Sequence, residues 1–365
     1  MKKIIFKGLI LIITVMTIDG LSKYLLSKNK NSMVIEYINA TKIFSIGADK
    51  ENEDFYEPKY FTLDKDYNIY ILDSGNNRIQ KYNKNGRFIK TIGCPGQGPG
   101  CFSRNTIKIK ILKGNYLYLI DNNLRRITIY DTEGKYINSF NIFQSVDDIC
   151  IVDNKYYCSS IVIKRNYKPI QVLNEKNRVE YSFGKIIEPT RNIIERIELS
   201  SYSRILEREF SFRNMTNVLN IRDDIIYSQQ QPYVLIKYNK NGNEIKEVKG
   251  EVEFDTYFPL QITDNENSVQ KKVVGRSSLV YDSIAWKDGG IIVPIIIPDR
   301  SLIYLDIYDS ELNIIKRCVL KNDIFDYKKR AGITNMFIDD NSNLYCMVVS
   351  MEDNPIFLKY QLTLK

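Results

Sequence analysis

A chain of 365 residues has room for two or three ordinary domains or for one large repeat architecture. Its 44% hydrophobic and 26% charged residues exclude wholesale disorder, and the lack of any histidine excludes Ser/His/Asp and Cys/His nucleophile pairs, imidazole zinc sites and a histidine general base. Six lysines against one aspartate over residues 1–30 carry most of the net charge of +8, so the charge says little about a nucleic-acid partner for the body.

Met1-Lys2-Lys3 and the apolar run Ile4 to Ile18 predict a signal peptide or an N-terminal membrane anchor over residues 1–30. A small-residue cleavage pattern does not follow, and Leu21 to Leu26 turns apolar again. A buried N-terminal helix is the bland alternative. The expected location is extracytoplasmic, secreted or membrane-attached through this segment, with the folded body spanning residues 34–365.

The body is predicted to be all-β. Only four alanines, Ala40, Ala48, Ala285 and Ala331, stand against 26 tyrosines and 16 phenylalanines, a balance that suits strands. A repeat then sets the architecture. The stretch Asn68 to Gly86 recurs as Tyr116 to Gly134, matching Asp73 with Asp121, Arg78 with Arg126, Tyr82 with Tyr130 and Gly86 with Gly134. Each unit reads as strand, capped turn, strand, tight turn, outer strand. Asp73 and Asn76 supply the capped turn, and the Asn83 to Gly86 turn ends on a glycine where positive φ is needed.

Third strands end at Tyr82, Tyr130, Leu173, Tyr238, Tyr308 and Tyr360, which makes six units. Outer strands are expected at 88–92, 136–140, 179–183, 244–248 and 314–319, but almost no chain follows Tyr360. Residues 43–47, Ile-Phe-Ser-Ile-Gly, resemble the other outer-strand endings. The expectation is therefore a six-bladed β-propeller whose N-terminal strand closes the last blade and leaves no long unpaired edge. Residues 185–213 read as a partly helical insertion and 251–278 as a long loop, both on one binding face.

Six cysteines suit an oxidising compartment. Cys94 and Cys101 flank a glycine-rich loop that could close on itself, and Cys150 and Cys158 flank a hairpin turning near Asp153-Asn154. Cys318 and Cys346 lie in apolar runs and are expected to be buried small hydrophobes. Asp73 and Asp121 are expected to cap backbone, with Arg78 and Arg126 paired to the neighbouring turn aspartate. The tyrosines are expected to pack between strands, and Trp286 to be a core residue near a hairpin. Gly96 to Gly100 lacks the Lys-Ser/Thr ending and the helix of a phosphate loop and reads as a connection between blades.

The run Asp73-Ser74-Gly75-Asn76-Asn77-Arg78-Ile79, continued through Tyr82, Gly86, Ile92-Gly93 and Gly96-Gln97-Gly98-Pro99-Gly100, resembles the NHL-repeat family of six-bladed β-propellers. More broadly it is similar to exported bacterial six-bladed propeller proteins. The resemblance implies fold more than function. Lyases of that family hold zinc with histidines, which this chain lacks. Gluconolactonase-like propellers hold a divalent ion with carboxylates in the central channel, for which Asp64, Asp147, Asp148, Asp223 and Asp224 are the candidates here.

The leading expectation is a non-enzymatic binding module that presents one face to a protein, peptide or glycan, with no nucleic-acid partner, no catalytic residues and no cofactor. The alternative is a metal-dependent hydrolase or lyase with a carboxylate cluster and a divalent ion at the central channel.

Overall fold

The computed structural model describes residues 33–47, 54–113, 115–160, 168–187, 216–230, 232–252, 260–265, 268–273, 279–297, 302–321, 332–350 and 353–364. The expected leader over residues 1–30 and the insertion at 188–213 lie outside them.

Six four-stranded antiparallel blades make up a six-bladed β-propeller. Blade 1 runs Pro58–Leu63, Ile69–Asp73, Arg78–Tyr82, Phe88–Ile92, and blade 2 runs Thr106–Leu112, Tyr116–Asp121, Arg126–Asp131, Tyr136–Asn141. Blade 3 is Asp148–Val152, Lys155–Ser159, Ile170–Leu173, Val179–Phe183, and blade 4 is Thr216–Ile221, Asp224–Gln229, Val234–Tyr238, Glu244–Lys249. The first strand of blade 5 is broken into Leu279–Val280 and Ile284–Ala285, ahead of Ile291–Ile297, Leu302–Tyr308 and Ile314–Lys321. Blade 6 is Gly332–Ile338, Asn343–Val349 and Ile356–Leu364, completed by the strand Val34–Ile46, here β1.

Strand β1 does more than the sequence predicts. Its second half pairs antiparallel with the last strand, from Ile38 opposite Leu364 to Ile46 opposite Phe357. Its first half crosses to blade 5 and runs parallel to the outer strand there, from Val34 opposite Lys316 to Ile38 opposite Leu320. A 2.7 Å ion pair between Glu36 and Lys316 sits on that crossing. One strand therefore sews blades 5 and 6 into a single sheet, leaving beneath the crossing a cleft of about 590 Å³ lined by Ile38, Trp286, Ile307 and Cys318.

Closure reaches blade 1 through side chains. Ile46, Tyr345, Met347 and Phe357 of the last blade share a core with Phe61, Ile69, Ile71 and Tyr82 of the first. The turns from third to fourth strand explain how neighbours approach so closely. In five blades the turn is the same, for example Gly86 N–H donating to Asn83 O at 2.9 Å and Gly134 N–H to Asp131 O at 3.0 Å. Gly86 and Gly134 have φ of +77° and +81°. A Cβ on Gly134 would lie 2.6 Å from Ile92 of blade 1, and one on Gly86 would lie 3.0 Å from Phe44 of β1. The last blade's borrowed strand thus meets blade 1 as each outer strand meets its successor.

Two expectations are corrected. Part of 251–278, expected to be a loop, forms a two-stranded hairpin, Leu260–Asn265 with Ser268–Val273. Its alternating Gln261-Ile262-Thr263 and Ser268-Val269-Gln270 carries the strand period, which the polar composition obscures. Cys150 and Cys158 form no bridge and are free. Cys158 stands opposite Ile149 and Cys150 opposite Tyr157, so the two cysteines lie one residue out of register and on opposite faces. Cys150 packs towards blade 4 and Cys158 towards blade 2. Cys318 and Cys346 are buried and free.

Deleting residues 42–47 is expected to strip Phe357–Tyr360 of their β1 partners and uncover the core between blades 6 and 1. A lowered melting temperature or aggregation of the shortened chain checks this, and unchanged melting contradicts it.

Candidate functional site

The repeated motif turns out to be joinery between blades. Buried Asp73 accepts from Tyr56 N–H at 2.7 Å, Asn76 Nδ2 at 2.9 Å and Arg78 Nε at 2.7 Å, while Arg78 Nη2 donates to Asp54 O at 2.8 Å. Asp121 does the same in blade 2, accepting from Ser103 N–H at 2.7 Å and Leu124 N–H at 2.9 Å. Arg126 differs from the expected pairing with its turn aspartate. It donates to the carbonyls of Gln97 at 2.8 Å and Gly98 at 3.3 Å, and also to that of Cys101. Asp121 is already filled by backbone donors, which frees the guanidinium for the neighbouring loop. Tyr130 OH donates to Gly100 O at 2.8 Å in the same loop, and a disulfide joins Cys94 to Cys101 across it. Tyr82, like Tyr130, is buried between blades.

The chemistry gathers instead at the centre, on the first strand of each blade. Thr106–Leu112 alternates lysine with isoleucine, bringing Lys108 and Lys110 to the channel. Asp148 opens the first strand of blade 3 and Asn217 lies in that of blade 4. Blade 5 contributes Asp282 and Ser283 through the break in its first strand. Tyr281 lies opposite Pro294, which has no N–H, and the register slips by one residue between Val280 and Ile284. The slip delivers the two polar side chains inward.

These groups form a ladder of alternating charge. Lys110 Nζ lies 3.0 Å from Asp148, whose Oδ1 is 3.6 Å from Lys108 Nζ, and Lys108 Nζ is 2.7 Å from Asp282 Oδ2. Val218 N–H and the Asn217 amide also donate to Asp148, the former at 3.0 Å. Tyr60 OH donates to Asp282 Oδ2 at 2.7 Å, and its ring lies under the Lys108 ammonium, 5.0 Å from centroid to Nζ. Burial by itself would push the Asp148 carboxyl up. The ammoniums of Lys108 and Lys110 and the Val218 N–H more than reverse this and hold it below the usual carboxylate range. Burial likewise opposes the Lys108 charge, but Asp148 and Asp282 outweigh it and raise the ammonium above its ordinary value.

The ladder floors an open pit of about 630 Å³, with Lys110, Asn217, Asp282 and Asn335 in its lining. Half-buried Leu63, Ile111, Leu219 and Phe337 supply apolar wall. The mouth lies among the turns from first to second strand, such as Leu112-Lys113 and Asp153-Asn154. Strand direction puts it at the opposite end of the ring from the Asp73 turn and from the connection carrying the 260–273 hairpin.

Of the carboxylates proposed for the channel, Asp148 alone joins the ladder. Asp64 accepts the N–H groups of Asp66 and Asn68, both at 2.9 Å, in a turn. Asp147 accepts Thr216 Oγ1 at 2.9 Å, and Asp224 pairs with Lys237 at 3.2 Å. Asp223 is an exposed turn residue. Among the described residues no three His, Cys, Asp or Glu side chains gather as a metal site. The Lys108 ammonium occupies the place between Asp148 and Asp282 that a divalent cation would need, so the donor set does not fit one. The Lys/Ile alternation of 106–111 and the proline inside Ile291–Ile297 are the sequence signals that mark the missed residues.

Lys108→Met is expected to cost about 3–5 kcal/mol in denaturant unfolding, because buried Asp148 and half-buried Asp282 lose their shared cation. In the unmodified chain the depressed Asp148 adds stability above about pH 4 that is lost as pH falls through its folded pKa. The raised Lys108 adds stability below about pH 10 that is lost as pH rises through its own. The variant should therefore lose the alkaline decline, and its acid transition should move to higher pH. Replacing Cys94 and Cys101 together by serine is expected to cost only about 2–3 kcal/mol, the chain-entropy value for so short a loop. Arg126 and Tyr130 still pin that loop, so melting with and without reductant should differ by no more than this.

Comparison with known proteins agrees with this architecture. A family model described as a 6-bladed beta-propeller, DUF5128, matches residues 59–231. No curated protein matches the sequence. Among solved structures, a member of the DUF4221 family from Bacteroides vulgatus is similar, with 9% identity, a TM-score of 0.57 and coverage of 90% of this chain and 99% of that one. A candidate exported protein from Bacteroides fragilis is similar at 12% identity, with a TM-score of 0.54 and coverage of 91% and 99%. At such identities the likeness shows the fold, and the fold is a six-bladed β-propeller.

Proposed function

We propose that this chain is a non-enzymatic, NHL-like binding module of the extracytoplasmic space, which takes a protein, peptide or glycan ligand into the central pit. The observation that carries the reading is the mutual pairing of the charges beneath the pit: Lys110 lies 3.0 Å from Asp148, and Lys108 lies 2.7 Å from Asp282. General acid–base catalysis wants groups poised near the working pH. Here Lys108 is buried between Asp148 and Asp282 and Lys110 is bound to Asp148, so neither lysine stands as a free amine and Asp148 is no free base; the downward shift of Asp148 and the upward shift of Lys108 go with that pairing. Fixed, paired charges around an open concavity with apolar walls suit recognition.

Export is included in the proposal. Lys2 and Lys3 before the apolar run support it, as does the Cys94–Cys101 disulfide, a bond that persists in oxidising compartments. Membrane attachment through the N-terminal segment fits the same reading.

Capture from cell-envelope extract on the immobilised full chain, run beside a variant in which Asn220, a half-buried residue of the pit lining, is replaced by tryptophan (Asn220→Trp) to fill the pit, tests the proposal. The expected result is a partner or glycan retained by the unmodified chain and lost by a variant that melts normally. Retention by both, or metal-dependent turnover of a lactone or ester, contradicts it.

A further inference from the structure

The pit meets only the two ends of the charge ladder. The side chains of Lys110 and Asp282 are 15% and 14% exposed, whereas those of Asp148 and Lys108 are 0% and 1% exposed. The floor therefore offers one cation and one anion, joined by a buried pair that cancels itself. We propose that the pit binds a small zwitterion of the amino-acid type, with its carboxylate beside Lys110 and its ammonium beside Asp282. The assignment rests on reading the pit as a binding site and goes beyond that reading by adding a small-molecule ligand to the protein, peptide or glycan proposed for it.

Charge balance is the first argument. A ligand with one charge would satisfy one end of the ladder while desolvating the other without compensation. A ligand with both leaves the net charge of the site unchanged and gives each end a second charged partner beside the one it has in the ladder.

Hydrogen-bonding capacity is the second. Lys110 Nζ donates to Asp148 Oδ2 at 3.0 Å and to Val218 O at 3.3 Å, which leaves the third ammonium proton for a ligand acceptor. Asp282 Oδ2 takes Lys108 and Tyr60, both at 2.7 Å, but Oδ1 accepts only Gln230 Nε2 at 3.2 Å, which leaves it able to take a second donor. The half-buried Ile111, Leu219 and Phe337 walls favour an apolar side chain on the ligand.

Isothermal titration of the full chain with L-leucine, N-acetyl-L-leucine, L-leucinamide and maltotriose tests the assignment. L-Leucine is expected to bind about 10- to 100-fold more tightly than either singly charged derivative, the worth of one charged hydrogen bond. Asp282→Asn should erase the advantage over N-acetyl-L-leucine, and Lys110→Gln the advantage over L-leucinamide. If a variant does not fold, the ligand series on the unmodified chain decides. Equal binding of leucine and its capped forms, or binding of maltotriose alone, overturns the zwitterion while leaving the pit a binding site. Heat from none of the four also overturns it, and the envelope capture then judges the binding-module reading separately.

Discussion

Everything in this ring depends on the backbone hydrogen bonds that strand Val34–Ile46 makes in two directions. Without them the last blade has three strands and an open edge, and blade 1 has nothing to pack its third-to-fourth-strand turn against. A propeller gains its stability from each blade burying both faces against its neighbours. A missing contact at the seam is therefore felt by two blades at once. By switching from antiparallel pairing in blade 6 to parallel pairing in blade 5, β1 ties the closing blade to its neighbour covalently through one backbone. The cleft beneath the crossing, walled by Trp286 and Ile307, is the packing consequence of that switch.

With the ring closed, six first strands converge on one axis and must fill it. This chain fills it with ions rather than hydrocarbon. A buried ion pair recovers its desolvation cost only when geometry and extra hydrogen bonds are good, and apolar residues of similar volume often serve stability as well or better. The ladder meets the geometric demand at Asp148 Oδ2 through Val218 N–H and Asn217 and at Asp282 Oδ2 through Tyr60, while Asp148 Oδ1 has the Lys108 and Lys110 ammoniums nearby but no hydrogen bond. Keeping four charges where isoleucine would pack is expensive unless the charges are used, and their two ends are what reaches solvent. Structure and electrostatics thus lead to the same place, a plugged channel whose floor is chemically addressed.

Much of this is written in local sequence. The recurrence of Asp73, Arg78, Tyr82 and Gly86 as Asp121, Arg126, Tyr130 and Gly134 reports blade geometry because strand length, turn chemistry and interblade caps recur with it. The closing strand is legible because Ile43 to Gly47 repeats an outer-strand ending. Its extension back to Val34 is not legible, since parallel pairing with blade 5 depends on where the ring brings Ile314–Lys321. The ladder is hidden for the same reason. Lys108, Asp148 and Asp282 belong to three different blades, far apart along the chain, and meet only through the axis. Arg126 shows the limit of repeat logic: its matched position holds, while its partner changes because the Cys94–Cys101 loop is present only there.

Amide hydrogen exchange measures the closure most directly. If β1 seals the ring, the paired amides of Ile38–Ile46 and Phe357–Leu364 will exchange as slowly as those of the blade 1 interior strand Ile69–Asp73, through global opening alone. Rapid exchange of Ile38–Ile46 while Ile69–Asp73 stays protected would show a frayed edge and contradict the closed ring.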